Sequence, residues 1–260
     1  MADERWLQGQ HAIVTGASRG IGAGIATVLA SRGATLTLLS RRPNADQTDE
    51  LRNAHDVPVG AIACDVSDDG SVRNAFARAA GERGPAQVLV NNAGIAKSAR
   101  FLETTREMWH ETLATNLTGV YLCAQQALPA MVAARYGRIV NVASTSGLRG
   151  YKTMAAYCAA KHGVVGLTRV LALETAAHGV TVNAVCPGYV ETDIFEHAVE
   201  NLMKARGISR DEARQMMLRP IPTGRFTTVA EVASAVEWLC SPGAANVTGI
   251  AMPLTGGEVQ

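Results

Sequence analysis

The chain has 260 residues, of which 47% are hydrophobic and 18% are charged, and its formal net charge is +1. This composition is typical of a soluble globular protein that is long enough to bury a sizeable core. Because the charge is nearly balanced and no long basic or uninterrupted apolar run occurs, we expect no nucleic-acid partner, no binding to an anionic membrane surface and no membrane span.

Short apolar runs alternate with helix-length segments along the whole chain. The predicted strands cover residues 11–15, 35–39, 59–65, 87–91, 137–144, 180–188 and 250–254. The predicted helices cover residues from about 20 to 32, 68–81, 104–134, 155–177 and 228–240. Strands rich in Val, Ile and Leu that alternate with helices predict a parallel α/β sheet of about seven strands covered on both faces. No linker or repeat divides the chain, so residues 1–260 are expected to form a single domain.

The first predicted strand ends in a glycine-rich turn that opens the first helix. Gly16, Gly20 and Gly22 have the spacing G-x-x-x-G-x-G. At the carboxyl edge of a parallel sheet, such glycines let the backbone approach a pyrophosphate, and the helix N-terminus supplies free N–H groups and partial positive charge. Although glycines also simply end strands, the place of this cluster between a strand and a helix predicts a dinucleotide site.

The end of the second strand indicates which dinucleotide binds. The segment Leu39-Ser40-Arg41-Arg42 contains no acid that could pair with the free 2′-hydroxyl of NAD. Arg19, in the glycine turn, lies on the same side of the predicted sheet. Charge-assisted contacts from two guanidinium groups favour a 2′-phosphate, so we predict NADP(H) in preference to NAD(H). The alternative is that Arg41 and Arg42 only decorate a surface loop.

Tyr157 and Lys161 lie four residues apart in the helical segment YCAAKHGVVGLTRVLALE. Positions i and i+4 share one helix face, which places an ammonium beside a phenol. A nearby cation favours the phenolate, so we expect a lowered pKa for Tyr157 and proton exchange with a carbinol oxygen. The alternative is a solvated pair on an exposed helix face.

Further motifs occur in a fixed order along the chain. They are TGASRGIG (15–22), Cys64-Asp65-Val66, NNAG (91–94), Asn116, Ser144, Y-x-x-x-K (157–161) and Pro187-Gly188. With these motifs at these separations, the chain resembles the short-chain dehydrogenase/reductase family, single-domain branch, from end to end. The resemblance implies a Rossmann-type doubly wound fold and an oxidoreductase that interconverts a ketone and a secondary alcohol without a metal.

The resemblance also implies roles for individual catalytic residues. Ser144 should hold the substrate oxygen, and Tyr157 should donate the proton in reduction and accept it in oxidation. Lys161 should lower the pKa of Tyr157 and bind the nicotinamide ribose. Asn116 should anchor a water that links Lys161 to a proton relay.

The cofactor contacts implied by the resemblance fall into three groups. The glycine turn and the second strand contribute Gly16, Ser18, Arg19, Gly20, Ile21, Gly22, Ser40 and Arg41. The adenine ring and adenosine ribose should meet Asp65, Val66, Asn92, Ala93 and Gly94. The nicotinamide end should meet Tyr157, Lys161, Pro187, Gly188, Val190 and Thr192.

The segment at about 191–226 is a candidate substrate lid. Its pattern predicts two short helices joined at Gly207-Ile208-Ser209, with an apolar, methionine-rich face. Such a segment could close over a substrate, or its apolar side chains could simply pack onto the domain. The other wall of the site is expected to contain Leu148, Arg149, Tyr151 and Met154. Arg149 and Lys152 are candidates to bind the phosphate of a carrier or CoA, or are simply solvated cations. The predicted substrate contacts are Ser144, Ser146, Leu148, Met154, Tyr157 and Gly188.

Two groups within the family compete for the substrate. The segment 160–193 resembles both 3-hydroxybutyrate dehydrogenases and polyketide-type ketoreductases. The former hold a carboxylate with Gln, His and Lys, where this chain has Ala96, Ser146 and Met154. The missing polar anchors favour reduction of 3-oxoacyl thioesters or similar bulky ketones. The alternatives are a dehydrogenase of a cyclic or aryl secondary alcohol or of a small hydroxy acid, and a non-catalytic NADP(H)-binding sensor.

Location, metal content and assembly follow from weaker signals. The N-terminal sequence MADERWLQGQ does not resemble a signal peptide, and five cysteines without a C-x-x-C pair suit reduced thiols in the cytoplasm. No residues show metal-ligand spacing, so no catalytic metal is expected. The resemblance implies a homotetramer, or alternatively a dimer, formed through helices 104–134 and 155–177 and the last strand.

Overall fold

A computed structural model describes residues 5–259, and its strands form one parallel sheet. The strands are β1 His11–Thr15, β2 Thr35–Ser40, β3 Val59–Ala63, β4 Val88–Asn91, β5 Gly137–Val142, β6 Val180–Pro187 and β7 Ala251–Leu254. They pair in parallel in the order β3-β2-β1-β4-β5-β6-β7. The order reverses between β1 and β4, and ligands bind in the crevice at such a switch point. The predicted doubly wound, Rossmann-type sheet is confirmed.

Helices cover both faces of this sheet. They are α1 Gly20–Ser31, α2 Ala45–His55, α3 Asp69–Arg83, α4 Arg106–Leu113, α5 Gly119–Ala134, α6 Ala155–Thr175, α7 Asp193–Arg206, α8 Arg210–Leu218 and α9 Val229–Cys240. Ile25 of α1 and Val236 of α9 share one buried cluster with Val14 of β1. Met131 of α5 belongs to a second cluster with Ile13. The neighbouring residues Ile13 and Val14 of β1 thus point to opposite faces of the sheet, as the alternation of side chains along a strand requires.

The helix α2 is absent from the elements that the sequence pattern predicts. Its segment ADQTDELRNAH is polar, and only Thr48 and Leu51 are buried, so it has no strong apolar periodicity. The helix begins after Asn44, whose side chain accepts a hydrogen bond from the backbone N–H of Gln47. The Gln47 side chain in turn donates to the Ala17 carbonyl at 2.8 Å. A cap and a tertiary contact with the glycine turn therefore define this helix.

The predicted helix at 104–134 is continuous but not regular. A π-helical turn at Ala114–Thr118 joins α4 to α5. Within the described residues, 106–134 is long and apolar enough to cross a bilayer by length and composition alone. Here α5 instead serves as a core helix, because Leu122, Cys123 and Met131 pack into the cluster beneath the sheet.

The segment at 191–226 contains the two helices predicted for it. α7 ends at Gly207, which has a left-handed φ of 64°, and Ser209 begins α8 through a capping box with Glu212. The two predicted helices joined at 207–209 are confirmed. Their buried side chains form a small cluster distinct from those of the sheet, consisting of Phe195, Val199, Ala213, Met217, Ile221 and Phe226. The apolar face therefore packs largely within this segment.

Candidate active site

The glycine turn after β1 leaves no room for side chains. A Cβ on Gly22 would lie 2.3 Å from the Gly16 carbonyl oxygen, and one on Gly16 would lie 2.8 Å from the Ala93 Cα. Gly16 and Gly20 also have positive φ angles of 63° and 57°, which disfavour other residues. The helix α1 begins after Arg19 without a side-chain cap, so its first N–H groups are open to an anion. These features fit the predicted pyrophosphate site.

Two side chains hold this turn against the end of β4. The Asn92 side-chain amide donates to the carbonyl oxygens of Thr15 and Gly16, each at 3.0 Å. The Thr15 hydroxyl oxygen accepts hydrogen bonds from the backbone N–H groups of Asn92 and Ala93, each at 3.0 Å. Asn92 thus shapes the turn with its side chain, a role that the sequence pattern does not assign. Thr15, inside the TGASRGIG motif, is a residue that the prediction missed.

The two predicted phosphate-binding arginines are placed differently. Arg19 forms an ion pair with Asp193 of α7 at 2.5 Å, although its side chain remains 77% exposed. Arg41 is exposed directly after β2 and acts electrostatically on Asp65. The structure therefore places both guanidinium groups at this edge of the sheet, one of them already paired with an acid. Ser18, Ile21 and Ser40 lie partly buried along the same edge.

Asp65 and Val66 follow β3 at the edge predicted for adenine. The Asp65 carboxylate accepts two hydrogen bonds from Ser67, at 2.9 Å from the backbone N–H and 2.6 Å from the hydroxyl. The hydrogen bond from the Ser67 hydroxyl holds the pKa of Asp65 below its ordinary value, and Arg41 adds to this effect. Val66 is buried and packs against Gly119 at the start of α5.

The loop after β6 meets the glycine turn. Pro187 and Val190 are buried, and the Gly188 N–H donates to the Leu254 carbonyl at 3.0 Å. The Thr192 methyl group lies so close to Gly20 that a Cβ there would be 3.3 Å away. The fold thus brings together the predicted cofactor residues of two segments that are distant in the sequence.

Ser144 and Tyr157 meet at the carboxyl end of β5. The Ser144 hydroxyl interacts with the Tyr157 hydroxyl and favours its ionised form, and the Ser144 hydroxyl oxygen accepts the Ser146 backbone N–H at 3.1 Å. The turn between them packs tightly on α6, because a Cβ on Gly147 would lie 2.7 Å from the Lys161 carbonyl oxygen. Ser144 and Tyr157 can therefore act on one substrate oxygen.

Lys161 lies beneath Tyr157 and is only 4% exposed, which excludes a solvated surface pair. Its ammonium donates to the Val142 carbonyl at 2.8 Å and lies 5.6 Å from the centre of the Tyr157 ring. Burial lowers the pKa of Lys161 to about 8. Burial also raises the pKa of Tyr157 to about 12, against the opposing effect of the Ser144 hydrogen bond. We predicted that the Tyr157 pKa is lowered, and this is wrong for the protein without a bound cofactor. The net shift is upward, because the cost of removing the phenolate from water outweighs the interactions that favour it.

Asn116 is fully buried within the π-helical turn. Its side-chain amide donates to the carbonyl oxygens of Ile95 and Thr112, each at 2.9 Å, and its oxygen accepts the Ile95 N–H at 3.1 Å. These bonds hold the chain after β4, including Gly94, against the helix. Both N–H groups of the side-chain amide are used, so a water at this position would bind either the second lone pair of the amide oxygen or the backbone, which π-turns release from the regular helical pattern.

A cavity of about 260 Å³ lies between the loop after β5 and the lid segment. It is lined by Arg149, Tyr151, Tyr189, Leu202, Met216, Met217, Pro220 and Glu258. Arg149 and Tyr151 were expected on this wall, whereas Leu148 packs into the core. None of the six predicted substrate contacts is among the residues that line the cavity. We assigned no role to Glu258 from the sequence. Its place directly after Gly256-Gly257, at the carboxyl end of the last strand, could have marked it as a residue near the ligand site.

Among residues 5–259, no group of three or more His, Cys, Asp or Glu side chains is arranged to hold a metal ion. The five cysteines are all free, and four of them are buried.

Comparison with known proteins agrees with this geometry. The family model described as enoyl-(acyl carrier protein) reductase matches residues 16–258. The chain belongs to the short-chain dehydrogenase/reductase family. Members of this family are oxidoreductases that use a nicotinamide cofactor on small molecules, and the glycine turn and the uncapped start of α1 fit such a cofactor.

The relatives of this short-chain dehydrogenase/reductase include both groups that the sequence suggests. D-beta-hydroxybutyrate dehydrogenase of Cupriavidus necator is 39% identical over 256 residues, covering 97% of this chain and 99% of that protein. The 3-oxoacyl-(acyl-carrier-protein) reductase of Vibrio cholerae is 38% identical over 253 residues, covering 96% and 98%. A crystal structure of an actinorhodin polyketide ketoreductase variant with NADPH superposes with a TM-score of 0.90 at 40% identity, covering 96% and 97% of the chains.

Proposed function

We propose that this protein uses NADPH to reduce a ketone to a secondary alcohol, with Tyr157 as the acid. The substrate is a 3-oxoacyl thioester or a similarly bulky ketone. The observation that carries the proposal is the interaction of the Ser144 and Tyr157 hydroxyls, with the buried Lys161 ammonium 5.6 Å from the centre of the Tyr157 ring. When bound, the cofactor supplies the hydride.

The protonation states of the chain's own groups suit reduction. With its pKa raised to about 12, Tyr157 carries its proton at neutral pH and can give it to a substrate oxygen. The Ser144 oxygen accepts the Ser146 N–H, so its hydroxyl hydrogen can turn from Tyr157 to the substrate oxygen as negative charge develops there. Lys161, held by the Val142 carbonyl, then stabilises the phenolate that Tyr157 becomes. The backbone at Asn116 is the proposed route by which a water restores the proton.

The preference for NADPH rests on the edge formed by β1 and β2. The segment 39–42 has two arginines and no acid, and the similar ketoreductase structure was obtained with NADPH. Arg19 is paired with Asp193, but exposed ion pairs are weak, so a phosphate can displace the carboxylate.

The choice of a bulky ketone rests on the substrate end. The places at which the hydroxybutyrate-type resemblance requires polar anchors hold Ala96, Ser146 and Met154, and the buried Ser146 accompanies Ser144. The cavity is lined mainly by apolar and aromatic side chains of the lid segment, including Leu202 and Met216. A small hydroxy acid remains the second candidate, because a hydroxybutyrate dehydrogenase is 39% identical to this chain.

Assembly and location are parts of the same proposal. Tyr121 on α5 and Val170 and Leu173 on α6 are 47%, 50% and 84% exposed, which suits a helix-mediated interface. We therefore propose a cytoplasmic homotetramer, with a dimer as the alternative. Light scattering coupled to size-exclusion chromatography measures the mass directly, and a monomer would contradict this part.

The direct test is the initial rate of absorbance loss at the nicotinamide band with acetoacetyl-CoA, comparing NADPH with NADH. Fast consumption of NADPH alone supports both the cofactor and the thioester. Consumption of cyclic or aryl ketones only would move the assignment to that class. NADPH binding without turnover of any carbonyl would instead favour a non-catalytic sensor.

A further inference from the structure

The cavity between the loop after β5 and the segment at 191–226 is lined by one buried carboxylate. The Glu258 side chain is only 2% exposed and lies in the turn that follows β7. One of its oxygens, Oε1, accepts hydrogen bonds from Arg149 Nη2 at 3.0 Å and from the Tyr151 hydroxyl at 2.9 Å. A carboxylate so deeply buried needs such partners, because its desolvation is costly.

The guanidinium of Arg149 is committed to this arrangement. Besides the bond to Oε1, its Nη1 donates to the Glu258 backbone carbonyl at 3.3 Å. Its carbon atom lies 4.7 Å from the centre of the Tyr151 ring. The positive charge of Arg149 is thus neutralised by Glu258, so the cavity wall does not offer a free cation to a carboxylate or a phosphate.

The second oxygen of Glu258 is not used in the same way. Both side-chain bonds donated to Glu258 within residues 5–259 end at Oε1, and none ends at Oε2. A Cβ on Gly188 would lie 3.6 Å from Oε2, so this oxygen is turned toward the loop after β6, where the nicotinamide end is expected. Glu258 therefore lines the cavity and presents an oxygen without a side-chain donor next to Gly188, which is a predicted cofactor and substrate contact.

We propose that Glu258 selects ketones that carry a hydroxyl group remote from the reacting carbonyl, and that it rejects ketones that carry a carboxylate there. The inference rests on the proposed ketone reduction and names its substrate class more narrowly. A hydroxyl donates to Oε2 and replaces the hydrogen bond that it loses to water. A carboxylate would meet a like charge at the same place, with Arg149 already paired.

The expected size of this selection follows from the strength of charged hydrogen bonds. A bond to a charged group in a partly desolvated site changes affinity by roughly 10- to 100-fold. Four other residues of the wall, Leu202, Met216, Met217 and Pro220, are apolar, so apart from the Tyr189 hydroxyl they leave Glu258 as the charged partner for a hydroxyl. Selectivity for the hydroxyl should thus depend on Glu258.

The test uses α-tetralone as a bicyclic ketone probe, with a hydroxyl, a methoxy or a carboxylate group at successive ring positions. The methoxy group keeps the bulk of the substituent but removes its donor. For at least one position, the wild-type enzyme with NADPH should prefer the hydroxyl over the methoxy compound by roughly tenfold or more in kcat/KM. The Glu258→Gln variant keeps the shape of the side chain, and it should lose most of this preference and accept the carboxylate compound better.

A matched control is Glu82→Gln. Glu82 on α3 is likewise an acid in ion pairs with arginine, in its case Arg78 and Arg83, but it does not line this cavity. This variant should keep the wild-type ratio between the hydroxyl and methoxy compounds. Equal ratios in wild type and Glu258→Gln, or no wild-type preference at any ring position, would overturn the proposal.

A binding measurement separates this proposal from the proposed reaction. Titration of the same compounds into the complex with NADP⁺ measures affinity without turnover. If no ketone is reduced but hydroxyl-dependent binding is lost in Glu258→Gln, the proposed function fails and the recognition by Glu258 stands. If ketones are reduced but the hydroxyl and methoxy compounds bind with equal affinity, the proposed reaction stands and the role of Glu258 is rejected.

Discussion

The guanidinium of Arg19 lies 2.5 Å from the carboxylate of Asp193, so an ion pair joins the glycine turn to the first residue of α7. The two groups are 77% and 58% exposed, and pairs of this kind are weak. The pair nevertheless connects the proposed site of the 2′-phosphate with the lid segment. A phosphate that binds Arg19 must compete with Asp193.

The substitution Asp193→Asn should therefore strengthen NADPH binding. Removal of the competing charge is expected to lower the KM for NADPH by up to about fivefold and to leave the KM for NADH unchanged, since NADH has no 2′-phosphate. Asp211→Asn is the matched control, because Asp211 is likewise an acid in the first turn of its helix. An equal gain with NADH, or in the control, would contradict this competition.

The substitution Tyr157→Phe removes only the hydroxyl that interacts with Ser144. A positioned acid contributes a factor of about 10² to 10⁴ in rate, so kcat should fall by that factor. NADPH affinity, measured by fluorescence titration, should stay close to that of wild type. A variant that keeps more than about a tenth of the wild-type turnover would show that Tyr157 is not the acid.

The substitution Gly22→Ala should disrupt the cofactor turn. Its Cβ would lie 2.3 Å from the Gly16 carbonyl oxygen and 2.5 Å from the Asn92 amide nitrogen, so the turn must shift. We expect NADPH affinity to fall and the free energy of unfolding to drop by about 1–3 kcal/mol.

Gly81→Ala should have the opposite effect on stability to Gly22→Ala, because its added methyl group meets no neighbouring atom. Gly81 lies within α3, and nothing is within 4 Å of the Cβ it would gain. This change should raise the free energy of unfolding by about 0.5–1 kcal/mol without altering NADPH affinity. Denaturant titration and cofactor binding measure both effects, and similar results for the two variants would argue against close packing at Gly22.

The buried histidine at the start of β1 predicts how stability depends on pH. The His11 ring nitrogens lie 2.8 Å from the Gly84 carbonyl oxygen and 2.8 Å from the Thr37 hydroxyl. Burial lowers the pKa of His11 from its ordinary value of 6.5. The unfolded chain therefore binds the proton more readily, so this contribution to stability is complete above pH 6.5 and is lost as the pH falls below it.

Urea unfolding between about pH 7.5 and 5.5 measures this contribution of His11. The loss of stability on acidification should be smaller in His11→Gln than in wild type, even if the variant is less stable throughout. Replacement of the exposed His110 by Gln should leave the free energy of unfolding as dependent on pH as it is in wild type. An unchanged slope in His11→Gln would mean that other groups cause the acid sensitivity.

Much of the fold and of the proposed reaction centre follows from local patterns. The strands are buried on both faces and are therefore continuously apolar, so their positions and the parallel sheet could be predicted. The turn at Gly16–Gly22 and the spacing of Tyr157 and Lys161 are also local. By contrast, α2 could not be predicted, because an asparagine cap and the contact of Gln47 with Ala17 define it.

The sequence by itself determined the order of the strands and of every helix except α2, the family and the candidate catalytic residues, since each depends on residues close together in the chain. Only the tertiary structure decided that Tyr157 has a raised rather than a lowered pKa, because desolvation depends on everything packed around the ring. It also decided that Arg149 pairs with Glu258, 109 residues away. Such contacts arise where the carboxyl ends of non-adjacent strands converge, and no local pattern specifies which side chains meet there.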